Sequence, residues 1–294
     1  MPEPVLPVHA LGLEGELWRR LARWGSSRSE WFVRLSPPIV GVITCALAPR
    51  PRRFVLSNLR RVRGRRGTVR DRVDVARTFA TYASCLAEVL GAGTARGRPS
   101  ALVWGELNLV EALARGRGVI FVTAHTAGWE AVGPLLSRDH GLRVMIAEQA
   151  ERDPRARTIQ DDARRAHGLL VTHVGQDPLS ALPLVHHLRE GGVVALQIDR
   201  TPAGQRSREV TLFGVRGAIP EGPLRLAAVT GAPVVPIFAA RTGHRRYTVT
   251  VERPIWVSRS ASTSELDAAA QRLAGSLEQF VRARPTQWFH FRDG

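Results

Sequence analysis

The chain has 294 residues, enough for one large domain or two small ones with a substantial core. Hydrophobic residues make up 44% and charged residues 23%, which excludes wholesale disorder. All 42 basic residues are arginine, against 26 acidic residues, and the net charge of +16 favours an anionic partner such as nucleic acid, a membrane surface or an acidic ligand.

The charge is uneven along the chain. Residues 1–100 hold 18 arginines against 7 acids, and residues 101–294 hold 24 against 19. Leu11 to Trp24 reads as an amphipathic helix, with Leu17, Trp18, Leu21 and Trp24 interleaved with Arg19, Arg20 and Arg23, as in interfacial helices. Trp31 to Ala48 is apolar but carries Arg34 and a Pro37-Pro38 break, so it falls short of the roughly 20 clean residues of a spanning helix. It starts too far into the chain for a signal peptide, and ten arginines follow between Arg50 and Arg72. That basic run lacks a nucleic-acid recognition motif, and with the apolar segment beside it a membrane surface accounts for it. Val69 to Leu90 has i+3/i+4 apolar spacing and predicts a helix; Gly91 to Ser100 has the composition of a linker. Residues 1–100 are thus expected to be a basic helical membrane-docking region.

From Ala101 the pattern becomes short apolar runs separated by helical stretches. Strands are predicted over 119–124, 143–148, 169–174, 193–199, 210–213, 234–241 and 247–252. Helices are predicted over 153–167, 178–190, 221–230 and Ser264 to Ala283. Near-continuous Val/Ile/Leu strands between helices predict an α/β fold, with a mostly parallel central sheet covered by helices over residues 101–294.

The most informative segment is Gly118 to Glu130, GVIFVTAHTAGWE. A buried strand ends at Ala124, and His125 stands at its carboxyl end, where open α/β sheets bind ligands. Across a strand–turn–helix junction Glu130 can meet His125 and fix its tautomer, leaving the other ring nitrogen as a base. A strand-end histidine followed by an acid in a first helical turn is the alternative. No metal is expected: His173, His186 and His187 fit no zinc pattern, and Cys45 and Cys85, the two cysteines, have no ligands nearby in sequence. No G-x-G-x-x-G, Walker A or G-x-S-x-G motif occurs. The two cysteines also exclude a disulfide scaffold and fit a reducing compartment.

His125-x4-Glu130 resembles the HX4(D/E) motif of the lysophospholipid acyltransferase superfamily. The wider context resembles the branch of the lipid A late acyltransferases and phosphatidylinositol mannoside acyltransferase. The resembling segments are PRRFVLSNLRRVRG (51–64), FATYASCLAEVL (79–90), AEQ (147–149), VALQIDRT (194–201), EVTLFG (209–214), PEGPLRLAAVTGAPVVPIF (220–238) and PTQWFHF (285–291), in that order. The resemblance implies transfer of a fatty acyl chain from a thioester, acyl-CoA or acyl carrier protein, to a hydroxyl of a membrane glycolipid or lysolipid. It implies no cofactor beyond that co-substrate, and His125 as general base oriented by Glu130. It also implies substrate contacts by Glu148, Arg164, Asp199, Arg200 and Glu209. Arg164 and Arg200 are the phosphate candidates; a solvated helix charge, a cap or a salt bridge is the plainer reading of each of the five. The implied partners are an anionic membrane surface, the donor, the acceptor and, for one donor type, acyl carrier protein, with no nucleic acid. The implied location is the cytoplasmic face of a bacterial inner membrane, peripheral or monotopic. A lipid- or nucleic-acid-binding protein with a degenerate site, or a thioesterase, are the alternatives. Chain order predicts that His125, Asp199 and 209–222 meet in one cleft at the carboxyl edge of the sheet, with an apolar groove opening toward the N-terminal helices.

Overall fold

The structure is a computed structural model. It describes residues 30–91, 99–148, 157–158, 161–162, 164–165, 168–175, 177–201 and 204–291. The helix expected over Leu11 to Trp24 lies outside the described residues, as do 92–98 of the expected linker and most of the expected 153–167 helix.

Three helices open the described chain: α1 (Glu30–Leu47), α2 (Pro49–Arg63) and α3 (Thr68–Gly91). Helix α1 runs unbroken through Pro37 and Pro38, where the sequence predicts a break. Each proline removes one backbone donor, but α1 is seated along α3. Gly41 lets the backbones touch: a β-carbon there would lie 2.5 Å from the Phe79 carbonyl oxygen. Helices α1 and α2 meet at 100°. Arg52 folds back to donate to the carbonyls of Cys45 (3.4 Å) and Ala46 (3.3 Å), which places a cation on the last turn of α1. Arg60 pairs with Asp71 at 2.8 Å and Arg63 with Asp74, tying α2 to α3. Two arginines of the 50–72 run are therefore spent inside the protein. Among the described residues no single helix is long and apolar enough to cross a membrane.

Seven strands form one sheet: β1 (Ser100–Trp104), β2 (Val119–Thr123), β3 (Val144–Glu148), β4 (Leu170–His173), β5 (Val193–Gln197), β8 (Val234–Gly243) and β9 (Arg246–Val251). Their order is β1-β9-β8-β2-β5-β3-β4. Every neighbouring pair is parallel except the β8–β9 hairpin, so the sheet is mostly parallel, as the sequence predicts. Alternation along β2 sends Ile120 and Val122 to one core and Val119 and Phe121 to the other. The first core is closed by α6 (Leu182–Arg189), α7 (Gly222–Thr230) and α8 (Thr263–Ala283). The second is closed by α4 (Glu106–Leu113) and α5 (Trp129–His140). Covered on both faces, the central strands need apolar residues at consecutive positions. A capping box fixes the start of helix α8: Ser262 and Glu265 satisfy each other's backbone N–H.

Three elements depart from expectation. Strand β1 and helix α4 lie where no element is predicted; β1 is an edge strand with only two half-buried side chains, too short a pattern to read. The expected strand 210–213 is not in the main sheet. It belongs to an antiparallel hairpin of β6 (Ser207–Leu212) and β7 (Val215–Pro220) lying on α8. Phe213 and Gly214 turn the hairpin with φ of 55° and 77°, the signs of a type I′ turn.

Candidate active site

Strands β2 and β5 are adjacent, parallel and in register, with Thr123 opposite Gln197. His125 and Asp199 each follow two residues beyond that pair, so the register alone sets them side by side at the carboxyl edge. The His125 ring Nδ1 lies 2.8 Å from Asp199 Oδ1. The His125 backbone N–H donates to Asp199 Oδ2 at 3.3 Å, and the Trp288 indole N–H donates to the same oxygen at 3.0 Å. The Asp199 side chain is fully buried, whereas the His125 side chain is 25% exposed. Burial pushes the Asp199 carboxyl up. The charge and hydrogen bond of His125, then the charges of Arg200 and His290, outweigh burial and hold it well below the usual carboxylate range. An ionised Asp199 accepts from Nδ1–H, which fixes the tautomer and leaves Nε2 as the acceptor nitrogen.

The turn between His125 and α5 is tight. The Thr126 N–H donates to the Ala124 carbonyl at 2.7 Å. Gly128 takes a φ of 93°, and the ring of Tyr247 occupies the space its side chain would need, so both the backbone and the packing demand glycine. Tyr247 is held from below by buried Glu88, which accepts from its hydroxyl and from Arg241 at 2.7 and 3.0 Å. Burial, with Cys85 and Glu88 close by, pushes the Tyr247 hydroxyl far up. It stays protonated and donates.

Glu130, the expected orienting acid, sits in the first turn of α5, and its side chain lies outside the described residues. Of the two ring nitrogens, one of them expected to be held by Glu130, Nδ1 is held by Asp199.

An apolar slot of about 40 Å³ lies between α5 and the sheet, lined by Phe121, Trp129, Leu136, Val144, Ile146 and Ile237, with Thr123, Glu148 and Gln197 among its polar edges. Trp129 joins the slot to the histidine, its ring 6.1 Å from that of His125. No lining residue comes from 30–91. The slot enters the core under α5, not the space toward the N-terminal helices where the sequence places it. The reason is that β2, β3 and β5 carry small or half-buried side chains on that face at their carboxyl ends.

The other predicted residues divide. Glu148 and Arg164 pair with each other at 2.5 Å, and the Arg164 guanidinium lies over the Trp129 ring at 5.6 Å, beside the slot. Asp161 and His173 join them: His173 Nε2 is 3.0 Å from Asp161, and the ligand atoms of Glu148, Asp161 and His173 lie within 4.8 Å of one another. Arg164 and Arg165 already balance both carboxylates, so this cluster suits an ion-pair network better than a dication. Arg200 donates to the Phe289 carbonyl at 2.8 Å and serves the tail. Glu209 is not brought to the cleft. It is 76% exposed on β6 and faces Arg216 at 3.8 Å, because the hairpin carries it onto α8.

Sequence reasoning assigned no role to the tail. Residues 287–289 pair with the 125–127 turn: Ala127 N–H donates to the Gln287 carbonyl at 2.9 Å and Phe289 N–H to the His125 carbonyl at 2.7 Å, with Thr126 and Trp288 bridged. Asn58 of α2 grips the next residue, donating to the His290 carbonyl at 2.8 Å and lying 3.1 Å from its Nδ1. The only signals were the PTQWFHF and SNL segments themselves. Gln197 was also missed: its Nε2 is buried without a hydrogen-bond partner at the slot wall.

A family model described as bacterial lipid A biosynthesis acyltransferase matches residues 38–293. Phosphatidylinositol mannoside acyltransferase of Mycobacterium tuberculosis is 28% identical over 189 residues, 64% of this chain and 57% of that protein. Its namesake from Mycolicibacterium smegmatis is 24% identical over 185 residues, 62% of this chain and 58% of that one. The chain thus spans less than three fifths of the length of these curated relatives. Among solved structures, the 1-acyl-sn-glycerophosphate acyltransferase of Thermotoga maritima is similar with a TM-score of 0.38 and 15% identity, covering 84% of this chain and 97% of that one.

Proposed function

The chain belongs to the bacterial lipid A biosynthesis acyltransferase family, and from that premise we propose that it moves a fatty acyl chain from an acyl thioester to a hydroxyl of a membrane glycolipid or lysolipid. The observation that carries the proposal is the His125–Asp199 pair, with one ring nitrogen bound and the other without a partner among the described residues, beside an apolar slot.

His125 Nε2 takes the proton of the acceptor hydroxyl as its oxygen attacks the thioester carbonyl. Asp199 holds the ring and stabilises the imidazolium that forms, staying ionised itself. Collapse of the tetrahedral intermediate breaks the carbon–sulfur bond, and the imidazolium returns the proton to the departing thiolate. The base is regenerated and no covalent enzyme intermediate forms. The first part of the acyl chain lies in the slot against Phe121, Leu136 and Ile146. Arg164, oriented by Glu148 at the slot edge, meets a phosphate of the donor or acceptor.

The enzyme works on the cytoplasmic face of the inner membrane, docked and not spanning. Trp31, Leu35, Ile39, Ile43 and Leu47 of α1 are at least half exposed, and Arg50, Arg53, Arg65, Arg66, Arg70 and Arg72 are exposed nearby in sequence. That combination suits an anionic lipid surface. Co-sedimentation tests it: binding to anionic vesicles that weakens in high salt is expected, and equal binding to neutral vesicles would remove the electrostatic part.

The deciding experiment incubates purified protein with labelled palmitoyl-CoA or palmitoyl carrier protein and vesicles of membrane lipid extract, then identifies products by mass spectrometry. A labelled glycolipid or lysolipid product that His125→Ala fails to make is expected. Free fatty acid alone would replace transfer with thioester hydrolysis, and no turnover with retained lipid binding would replace it with a binding role.

A further inference from the structure

The C-terminal strap reaches the catalytic carboxylate itself. A carboxylate anchored through one oxygen swings about its Cβ–Cγ bond. Asp199 is anchored through both: Oδ1 faces His125 Nδ1, and Oδ2 accepts from the His125 backbone and from the Trp288 indole. The backbone bond is the longer of the two, 3.3 Å against 3.0 Å, so the indole is the better-placed donor on that oxygen. Trp288 is buried, and a buried indole N–H is costly without an acceptor, so the two groups satisfy each other.

The indole is itself held on all sides. Its backbone is bridged to Thr126, and the residues before and after it bond the Ala127 N–H and the His125 carbonyl. Its ring lies 5.5 Å from Phe213 and 4.9 Å from His290. Arg200 holds the Phe289 carbonyl and Asn58 the His290 carbonyl. Phe289 and Phe291 stack edge-on against Tyr82 and Phe79 of α3 at 5.2 and 5.1 Å. Eight residues from five other segments thus hold this short segment and with it the indole N–H on Asp199.

We propose that the C-terminal strap is part of the catalytic machinery and that Trp288 is the positioning residue that holds the Asp199 carboxylate in the plane of the His125 ring. The proposal rests on the reading of His125 as the base. Trp288 touches neither substrate nor reacting atoms; it acts through Asp199. Removing one hydrogen bond to a charged group then lowers turnover by about 10–100-fold. Substrate binding is untouched, because Trp288 does not line the slot.

Trp288→Phe keeps an aromatic ring against Phe213 and His290 and deletes the donor. Steady-state kinetics with palmitoyl-CoA and membrane-lipid vesicles should show kcat lower by about 10–100-fold with KM within about twofold. Proton NMR supplies a readout independent of turnover. The downfield Nδ1–H resonance of His125, assigned by its loss in His125→Ala, should be sharp in the wild type and broadened by solvent exchange in Trp288→Phe. Either an unchanged resonance, or kcat within about twofold of wild type, overturns the proposal. If the wild type transfers no acyl chain, the proposed reaction fails alone and the resonance still decides the role of the strap. If Trp288→Phe does not fold, benzothienylalanine at position 288, which replaces N–H by sulfur at nearly constant shape, takes its place with the same two outcomes.

Discussion

Two clusters of ionisable side chains lie at the carboxyl ends of neighbouring strands; each holds a histidine–carboxylate pair, and they differ in what surrounds that pair. At the ends of β2 and β5, Asp199 is buried and ionised, and His125 keeps a partly exposed ring with one nitrogen unpartnered among the described residues. At the ends of β3 and β4, Glu148, Asp161, Arg164 and His173 pair among themselves and with Arg165. Both occupy the edge where α/β sheets place their ligands. A position at that edge therefore does not make a base, and neither does an unspent ring nitrogen, which His173 also has; the nitrogen must open on a space for substrate. The second cluster has charge to bind with, and its one unpartnered ring nitrogen, His173 Nδ1, is buried and not open to a substrate.

The sharpest way to break this contrast is His125→Ala. Loss of the general base should lower acyl transfer by about 10²–10⁴-fold while the circular-dichroism melt stays cooperative; near wild-type turnover would remove His125 from the chemistry. Asp199→Asn should follow closely, at about 10²–10³-fold, because an amide neither fixes the tautomer nor stabilises the imidazolium. Glu130→Gln should cost less than either, since Nδ1 is taken by Asp199; a larger loss would make Glu130 the principal partner.

For the second cluster the expected signature is different. Arg164→Ala should raise the KM for the thioester or acceptor by about tenfold and leave kcat within a few-fold, the pattern of lost binding. A fall in kcat without a change in KM would move Arg164 into the transition state and erase the contrast.

A smaller effect is expected from pH. Asp199 is held below the ordinary unfolded value of about 3.9. A depressed carboxylate stabilises the fold above its unfolded value and loses that contribution as pH falls through its folded one. The stability advantage of wild type over Asp199→Asn should thus be level from pH 7 to about 5 and shrink below about 4 in urea melts. An advantage that grew on acidification would mean Asp199 is protonated in the native protein. The smallest effect should come from Asp162→Ala, which breaks an exposed pair with Arg165. Such pairs contribute about 1 kcal/mol or less, so neither melting nor turnover should move measurably.

Much of this was legible along the chain. Strands β2 and β5, helix α8 and His125 at a strand end all follow from period and run length, which are local properties. Resemblance added the order of the segments and the family. Less local features were hidden. The hairpin β6–β7 has the same alternation as a sheet strand, and only its partner tells them apart. Glu130 and Asp199 were both visible acids, five and 74 positions from His125, and spacing favoured the nearer one.

What the residues determine by themselves is which segments become strands and helices, because hydrophobic period and backbone preference act within a few positions. They also determine that His125 stands at the end of a buried strand. Tertiary structure decided which carboxylate meets it, since that follows from the parallel register of β2 on β5, pairing Thr123 with Gln197. It likewise decided that the tail closes over the turn, with Trp288 on Asp199 across 89 positions. No local pattern encodes such contacts. They form because the parallel sheet brings the ends of β2 and β5 together and residues 287–289 pair with the turn at 125–127.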